Sequence, residues 1–141
     1  MEKARKNSRR TAQEPPTVRR TILVIDSDPI VGELLRGYLA QQKGFQLFES
    51  KAGAEGIEAA VRHLPDVIFL GFRLDDMGGL EAHEALRQNP VTKDIPVIYV
   101  SSFFTLRTVE KATVKGAKGF ISRPFTISKI HNKLNTVLGP S

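Results

Sequence analysis

The chain has 141 residues, a net charge of +6 and no cysteine, which is enough length for one domain with a working hydrophobic core. Without cysteine there is no disulfide framework, thiolate metal site or cysteine nucleophile, and His63, His83 and His131 lack metal-ligand spacing. No apolar run approaches a bilayer-spanning length and the charged N-terminus has no apolar signal core, so neither a membrane span nor a secretory leader is expected, and the expected compartment is the cytoplasm.

The excess charge is concentrated at the start. Residues 1–20 hold seven Lys/Arg against Glu2 and Glu14, a net +5, while the remaining 121 residues total +1. The stretch KARKNSRRTAQEPPTVRR has almost nothing apolar to bury and contains Pro15-Pro16. A disordered basic arm over residues 1–20 is therefore expected, followed by a nearly neutral domain over 21–139. Its simplest role is a solvated leader; contact with nucleic acid or a membrane surface is the alternative.

Thr21 to Ile25 is a short β-branched run suited to a strand buried on both faces. It stops at Asp26-Ser27-Asp28-Pro29, where Asp28 and Pro29 make an N-cap and first-turn pair, and Ile30, Val31, Leu34, Leu35 and Tyr38 then repeat with helical spacing until Gly44. The alternation continues with a strand over Phe45 to Glu49, a helix over Ala54 to His63 and the most apolar strand over Asp66 to Leu70. A helix over Leu80 to Gln88, a strand over Ile95 to Val100, a helix over Leu106 to Lys115 and a short strand over Gly119 to Ile121 follow. The last helix opens at Thr126 and buries Ile127, Ile130, Leu134, Val137 and Leu138.

Five strand-helix units in this length predict an α/β fold with a parallel sheet covered on both faces, because each parallel crossover needs a helix. Periodicity alone does not fix the strand order. Chemistry in such folds gathers at the carboxyl ends of the strands. That rule selects Asp26 to Asp28, Gly71 to Gly79, Ser101 and Ser102, and Ser122 to Phe125.

The segments ILVIDSDP, LPDVIFLGFRLDDMGGLE, IPVIYVSS and GAKGFISRPF together resemble, in order and spacing, the receiver domains of bacterial two-component response regulators. The resemblance covers roughly residues 20 to 139 and implies a flavodoxin-like (βα)5 fold with strand order 2-1-3-4-5. It also implies an acidic pair after the first strand, a phosphoacceptor aspartate ending the third, a Thr/Ser after the fourth, an aromatic on the fifth, and a lysine-proline pair beyond it. Such a set serves phosphoryl transfer: carboxylates hold Mg²⁺, the aspartate is the nucleophile, and the lysine and hydroxyl contact the phosphoryl group.

This sequence departs from that pattern. Met77, Gly79 and Leu80 match the family's loop after the acceptor, which puts Gly71 at the acceptor position. The acidic pair is reduced to Asp26 and Ser27, with Asp28 expected to cap the first helix. Two of the negative groups that attract Mg²⁺ are missing, so no cofactor or metal is expected. Asp75 and Asp76 lie four and five residues past the strand and are expected to be solvated loop acids, an acceptor role for either being the rival reading. Arg123 stands at the lysine position before Pro124, a bond that is cis in related receivers. Its planar fork suits a permanent pair with Asp26, with an unpaired, exposed Arg123 as the alternative. Ser101 and Phe120 match the switch pair and are expected to persist as scaffold, Phe120 as core.

The resemblance places the docking face on the fourth helix, fifth strand and fifth helix, with Phe104, Leu106, Val109, Lys118 and Lys129 as candidates. Of the adjacent Phe103 and Phe104, one is expected to point inward and the other to remain partly exposed, burial of both being the alternative. The function expected is a non-enzymatic, stand-alone receiver in signal transduction that acts by phosphorylation-independent protein interaction. Its expected partners are a signalling protein, a second copy of the chain or, through the arm, nucleic acid or a membrane surface. Enzyme classes find no support, because no dinucleotide fingerprint, P-loop or nucleophile elbow is present.

Overall fold

The computed structural model describes residues 20–139, within which strand and helix alternate strictly. β1 (Arg20–Ile25), β2 (Phe45–Ser50), β3 (Val67–Gly71), β4 (Val97–Ser101) and β5 (Gly119–Ser122) form one parallel sheet in the order β2-β1-β3-β4-β5. The helices are α1 (Ile30–Leu39), α2 (Gly53–His63), α3 (Gly79–Gln88), α4 (Leu106–Val114) and α5 (Ile127–Leu138). This is the flavodoxin-like order that the resemblance implies and that periodicity leaves open.

The expected elements are all present and most boundaries shift by a residue or two, but α1 stops at Leu39 and does not run on to Gly44. Arg20 is a correction: it belongs to β1 and not to the arm. Its backbone N–H donates to the Gly44 carbonyl at 2.7 Å and its guanidinium to the Leu138 carbonyl at 3.0 Å, so the strand gains a residue from contacts with both neighbouring segments. The rest of the expected arm, residues 1–19, lies outside the described residues. β4 begins at Val97, because Pro96 has no N–H for the ladder and contributes only its carbonyl, to Ile68 N–H at 2.9 Å.

Strand alternation divides the core between the two faces of the sheet. Ile22, Val24, Val67, Phe69, Ile98 and Val100 point toward α1 and α5, where they meet Val31, Leu35, Ile130 and Leu134. Leu23, Ile25, Ile68, Leu70, Val97 and Tyr99 point toward Ala60, Ala82, Leu86 and Ala112 of α2, α3 and α4. Burial on both faces is why β1 and β3 are continuous apolar runs and not alternating ones. The register pairs Ile25 with Leu70 and Gly71 with Val100, so the carboxyl ends of β1, β3 and β4 finish side by side.

Helix starts follow side-chain chemistry. The Asp28 carboxylate accepts the Ile30 N–H at 3.0 Å, which is the capping duty expected of it, although Pro29 precedes the first helical residue instead of being it. Thr126 accepts the Lys129 N–H at 3.1 Å and caps α5. Thr105 caps α4 through a reciprocal pair of bonds with Thr108.

One polar pair is sealed in the second core. His83 of α3 and Tyr99 of β4, 1% and 0% exposed, share a hydrogen bond between Nδ1 and the phenolic oxygen at 2.7 Å. Burial lowers the His83 pKa from 6.5 to about 4, and Arg87 and Lys115 push it the same way. The unfolded chain takes up this proton below about pH 6.5 and the folded chain does not, so the contribution of neutral His83 is present above pH 6.5 and lost as pH falls toward 4. His83→Gln is expected to flatten the fall in stability between pH 6.5 and 4, read by urea denaturation; an unchanged acid limb counts against the buried-neutral assignment.

Candidate functional site

The site forms where the sheet's carboxyl ends open into a cleft of about 580 Å³, bounded by Asp26, Ser27, Asp28, Arg73, Ser101, Ser102, Thr105 and Thr108 among polar groups. Phe72, Val100, Phe103 and Phe125 supply its apolar walls. Asp26 follows β1, Gly71 ends β3, Ser101 ends β4, and the Arg123-Pro124 bond, which is cis, follows β5. The four selected segments therefore do converge.

Gly71 is fully enclosed, and the Asp26 carboxylate lies directly over it. A Cβ added at Gly71 would collide with Asp26 Oδ1 and stand 2.5 Å from its Cγ. Asp26 Oδ1 accepts the Asp28 N–H at 3.1 Å. Gly79 presses on the same point from α3: a Cβ there would collide with the Gly71 carbonyl oxygen, and the Gly79 N–H donates to Phe72 O at 2.8 Å. Gly79 is thus required by close approach of two backbones.

Burial raises the Asp26 pKa from 3.8 to about 6; the Asp28 N–H bond opposes the rise and the Asp28 carboxylate adds to it. Among the described residues this carboxylate forms no ion pair. Arg123 takes a different partner from the one expected, which corrects the Asp26 assignment. Its Nη2 lies 4.0 Å from Asp28 Oδ2, its Nε donates to Ser102 Oγ at 2.9 Å, and its guanidinium carbon lies 5.9 Å from the Phe125 ring centre. The side chain reaches across the mouth of the cleft and not into its floor. Both members of the ion pair are about half exposed, so the pair adds little stability.

The hydroxyls are turned to backbone. Ser27 Oγ donates to Arg73 O at 2.8 Å and ties the first loop to the third. Ser101 Oγ donates to Phe103 O at 2.9 Å and accepts the Phe103 N–H at 3.2 Å, closing a local turn. Asp76 is not a loose loop acid: its two carboxylate oxygens accept the N–H groups of Gly53 and Ala54 at 2.6 and 3.0 Å. Those bonds hold its pKa below the ordinary value and cap α2. Asp75 is exposed and engages Lys51 O only through its backbone N–H, at 3.0 Å.

The aromatic expectations resolve in one direction. Phe104 turns inward, with its ring centre 5.4 Å from Phe72 and 5.3 Å from Phe120. Phe120 is half-buried and stacks on Tyr99 at 5.9 Å. Phe103 is the exposed member at 74%, beside Leu106 at 76%. Phe104 is accordingly withdrawn from the docking candidates and Phe103 replaces it. Val109 and Lys129 are half-exposed and Lys118 fully so. The sequence missed Ser102 as the partner of Arg123 and Asp76 as the cap of α2, because both bonds join segments far apart in the chain.

Replacing Asp26 by Asn keeps an acceptor for the Asp28 N–H and removes the cost of ionising a half-buried carboxylate. Because the folded pKa is raised, that cost is absent below about pH 4 and complete above about pH 6. Asp26→Asn is expected to be more stable than the parent by about 1–2 kcal/mol at pH 7.5, allowing for solvent screening, and equal to it near pH 4. Denaturant midpoints at the two pH values check this.

A family model described as the response regulator receiver domain matches residues 22–135. The polar-differentiation response regulator DivK of Brucella ovis is 24% identical over 120 residues, covering 85% of this chain and 97% of that protein. A response regulator from Chloroflexus aurantiacus superimposes with a TM-score of 0.76 at 21% identity, covering 86% of this chain and 99% of that one. The receiver domain of a Pseudomonas aeruginosa sensor histidine kinase, with a magnesium ion coordinated in its active-site cleft, gives 0.75 at 19% identity, covering 86% and 99%. Order of elements, convergence of loops and family match agree: the chain belongs to the response regulator receiver domain family of signal-transduction modules.

Proposed function

We propose that this receiver signals without phosphorylation, as a protein-docking module in which Gly71 occupies the acceptor position. The observation that carries this reading is the Asp26 carboxylate lying over Gly71, where an acceptor side chain would have to project. Glycine offers no nucleophile, and neither acid of the loop that follows it is turned to the acceptor's task. Asp76 caps α2, and Asp75 stands exposed on the loop after β3.

The donor set fits a magnesium ion poorly. Mg²⁺ requires an octahedron of oxygens and usually takes one or two carboxylates beside substrate phosphate and water. Here Asp26 is engaged by the Asp28 N–H, Asp28 bonds the start of α1 and faces Arg123, and Ser27 is turned to Arg73 O. No group of three metal-ligating side chains occurs among the described residues. The Ser101 hydroxyl, held by Phe103, has nothing to follow, and Phe120 is fixed within an aromatic stack.

What remains for signalling is the surface. Phe103 and Leu106 form an exposed apolar lip beside α4, and Lys118 and Lys129 lie on the adjoining β5–α5 side. Exposed apolar residues set among charges are the usual anchors of protein interfaces. No helix among the described residues is long and apolar enough to cross a membrane.

Incubation with Mg²⁺ and acetyl phosphate is expected to give no hydroxylamine-sensitive phosphoryl adduct by intact mass. An adduct mapped to Asp75, Asp76 or Asp26 overturns the reading. Gly71→Asp alone is expected to destabilise the fold by about 1–3 kcal/mol through overpacking against Asp26, and Asp26→Ala in the same chain is expected to recover most of that loss.

A further inference from the structure

A groove of about 850 Å³ runs between α3 and α4, on the side of α4 that faces α3. α4 reaches the core through one buried residue, Ala112, and α3 lines the gap with Leu80 and the short Ala85, both half-buried, so the two helices do not close on each other. Val114 stands in the groove 86% exposed. The rim is charged. Lys115 Nζ spans to Glu84 at 2.7 Å, which leaves Glu81 on α3 and Glu110 on α4, both exposed and without an ion pair among the described residues, against Lys111 alone. An apolar floor beneath an excess of carboxylate suits an extended basic segment, whose arginine and lysine stems lie on the floor while their heads reach the rim.

The chain itself carries such a segment. Residues 1–19 hold six Lys/Arg against two Glu, a net +4, together with Pro15, Pro16 and Val18. The two prolines remove backbone donors and favour an extended backbone over a helix. The segment leads into Arg20, the first residue of β1, and so joins the domain at the amino end of the sheet, the end at which α3 and α4 also finish. Bonds from Asp66 N–H to Thr21 O, Ile68 N–H to Pro96 O and Lys118 N–H to Val97 O set the amino ends of β1, β3, β4 and β5 in one row. β1 and β4 are two strand spacings apart, about 10 Å, whereas ten extended residues span about 33 Å.

We infer that residues 1–19 occupy the α3–α4 groove of their own chain, setting basic side chains against Glu81 and Glu110 and covering Val114. Sign, reach and the exposed floor point to the same occupant. A tether presents the segment at an effective concentration on the order of millimolar, so a contact too weak to hold a separate peptide suffices, and a second copy of the chain has to displace what is already supplied in cis. So docked, the arm withholds its cations from nucleic acid and from anionic lipid. The inference goes beyond the docking reading and does not depend on it.

The chain has no cysteine, so Ser8→Cys accepts a single nitroxide label within the arm and leaves the arm's charge unchanged. In the isotopically labelled full chain, the nitroxide is expected to weaken the amide resonances of Ala85, Glu110 and Val114 relative to the same sample reduced with ascorbate. The loss is expected to fade in about 1 M salt, where the Debye length is about 3 Å. Glu81→Lys/Glu110→Lys is expected to abolish it and Glu81→Gln/Glu110→Gln to reduce it, with thermal melts confirming that both variants fold. Undiminished groove resonances, weakening confined to another face, or an effect indifferent to the charge reversal overturns the inference. So does weakening that arises on mixing the nitroxide chain with a separate isotopically labelled chain, because the occupant is then a second copy.

Discussion

The Asp26 carboxylate resting on Gly71 is the contact around which the rest of this cleft is arranged. It exists because β1 and β3 are neighbours whose register ends with Ile25 beside Leu70, which brings the first residue after β1 against the last residue of β3. From the other side, Gly79 brings the start of α3 into backbone contact with Gly71. A side chain at position 71 would have to displace the Asp26 carboxylate, and one at position 79 would meet the Gly71 carbonyl. The remaining polar groups adjust to that closure: Ser27 turns to Arg73, Ser101 to Phe103, and Arg123 reaches over the cleft to Ser102 and Asp28.

The architecture was legible because each element carries its own signal. Runs such as Ile22 to Ile25 and Val67 to Leu70 are apolar at every position, which a strand covered on both faces demands, and Thr126 marks the start of α5 by its hydroxyl. The cleft's membership was legible too, since strand ends in a parallel sheet converge. Pairings inside it were not. Arg123 meeting Asp28 instead of Asp26 depends on a few ångströms of loop geometry that neither local propensity nor spacing encodes. Phe103 and Phe104 are identical in type and adjacent, so only the position of Phe72 and Phe120 beneath the loop decides which turns inward. Arg20 looked like part of a charged arm because its hydrogen-bond acceptors, Gly44 and Leu138, are distant in sequence.

Two buried ionisable groups pull stability in opposite directions across the same pH range. Neutral His83 favours the fold above pH 6.5, and ionised Asp26 disfavours it above pH 6. Their effects partly cancel between pH 4 and 6.5, so the intact protein conceals from a simple acid titration what each group does. The separation has a structural basis: His83 lies in the α3–β4 core, bonded to Tyr99, and Asp26 lines the cleft at the carboxyl end of β1, over Gly71.

α4 differs from its neighbours in how it is held. Its sole buried residue is Ala112, while Leu106 and Val114 stand 76% and 86% exposed. Its ends are secured instead by the Thr105–Thr108 capping pair and by the ion pair from Lys115, just beyond it, to Glu84 of α3. Such a helix contributes little to the cooperative unit formed by β1, β3 and β4, and it can unwind, tilt or slide as a local event at small free-energy cost. The helix that carries the exposed apolar residue Leu106 is therefore also one that a partner landing on it can reshape with little loss of buried core.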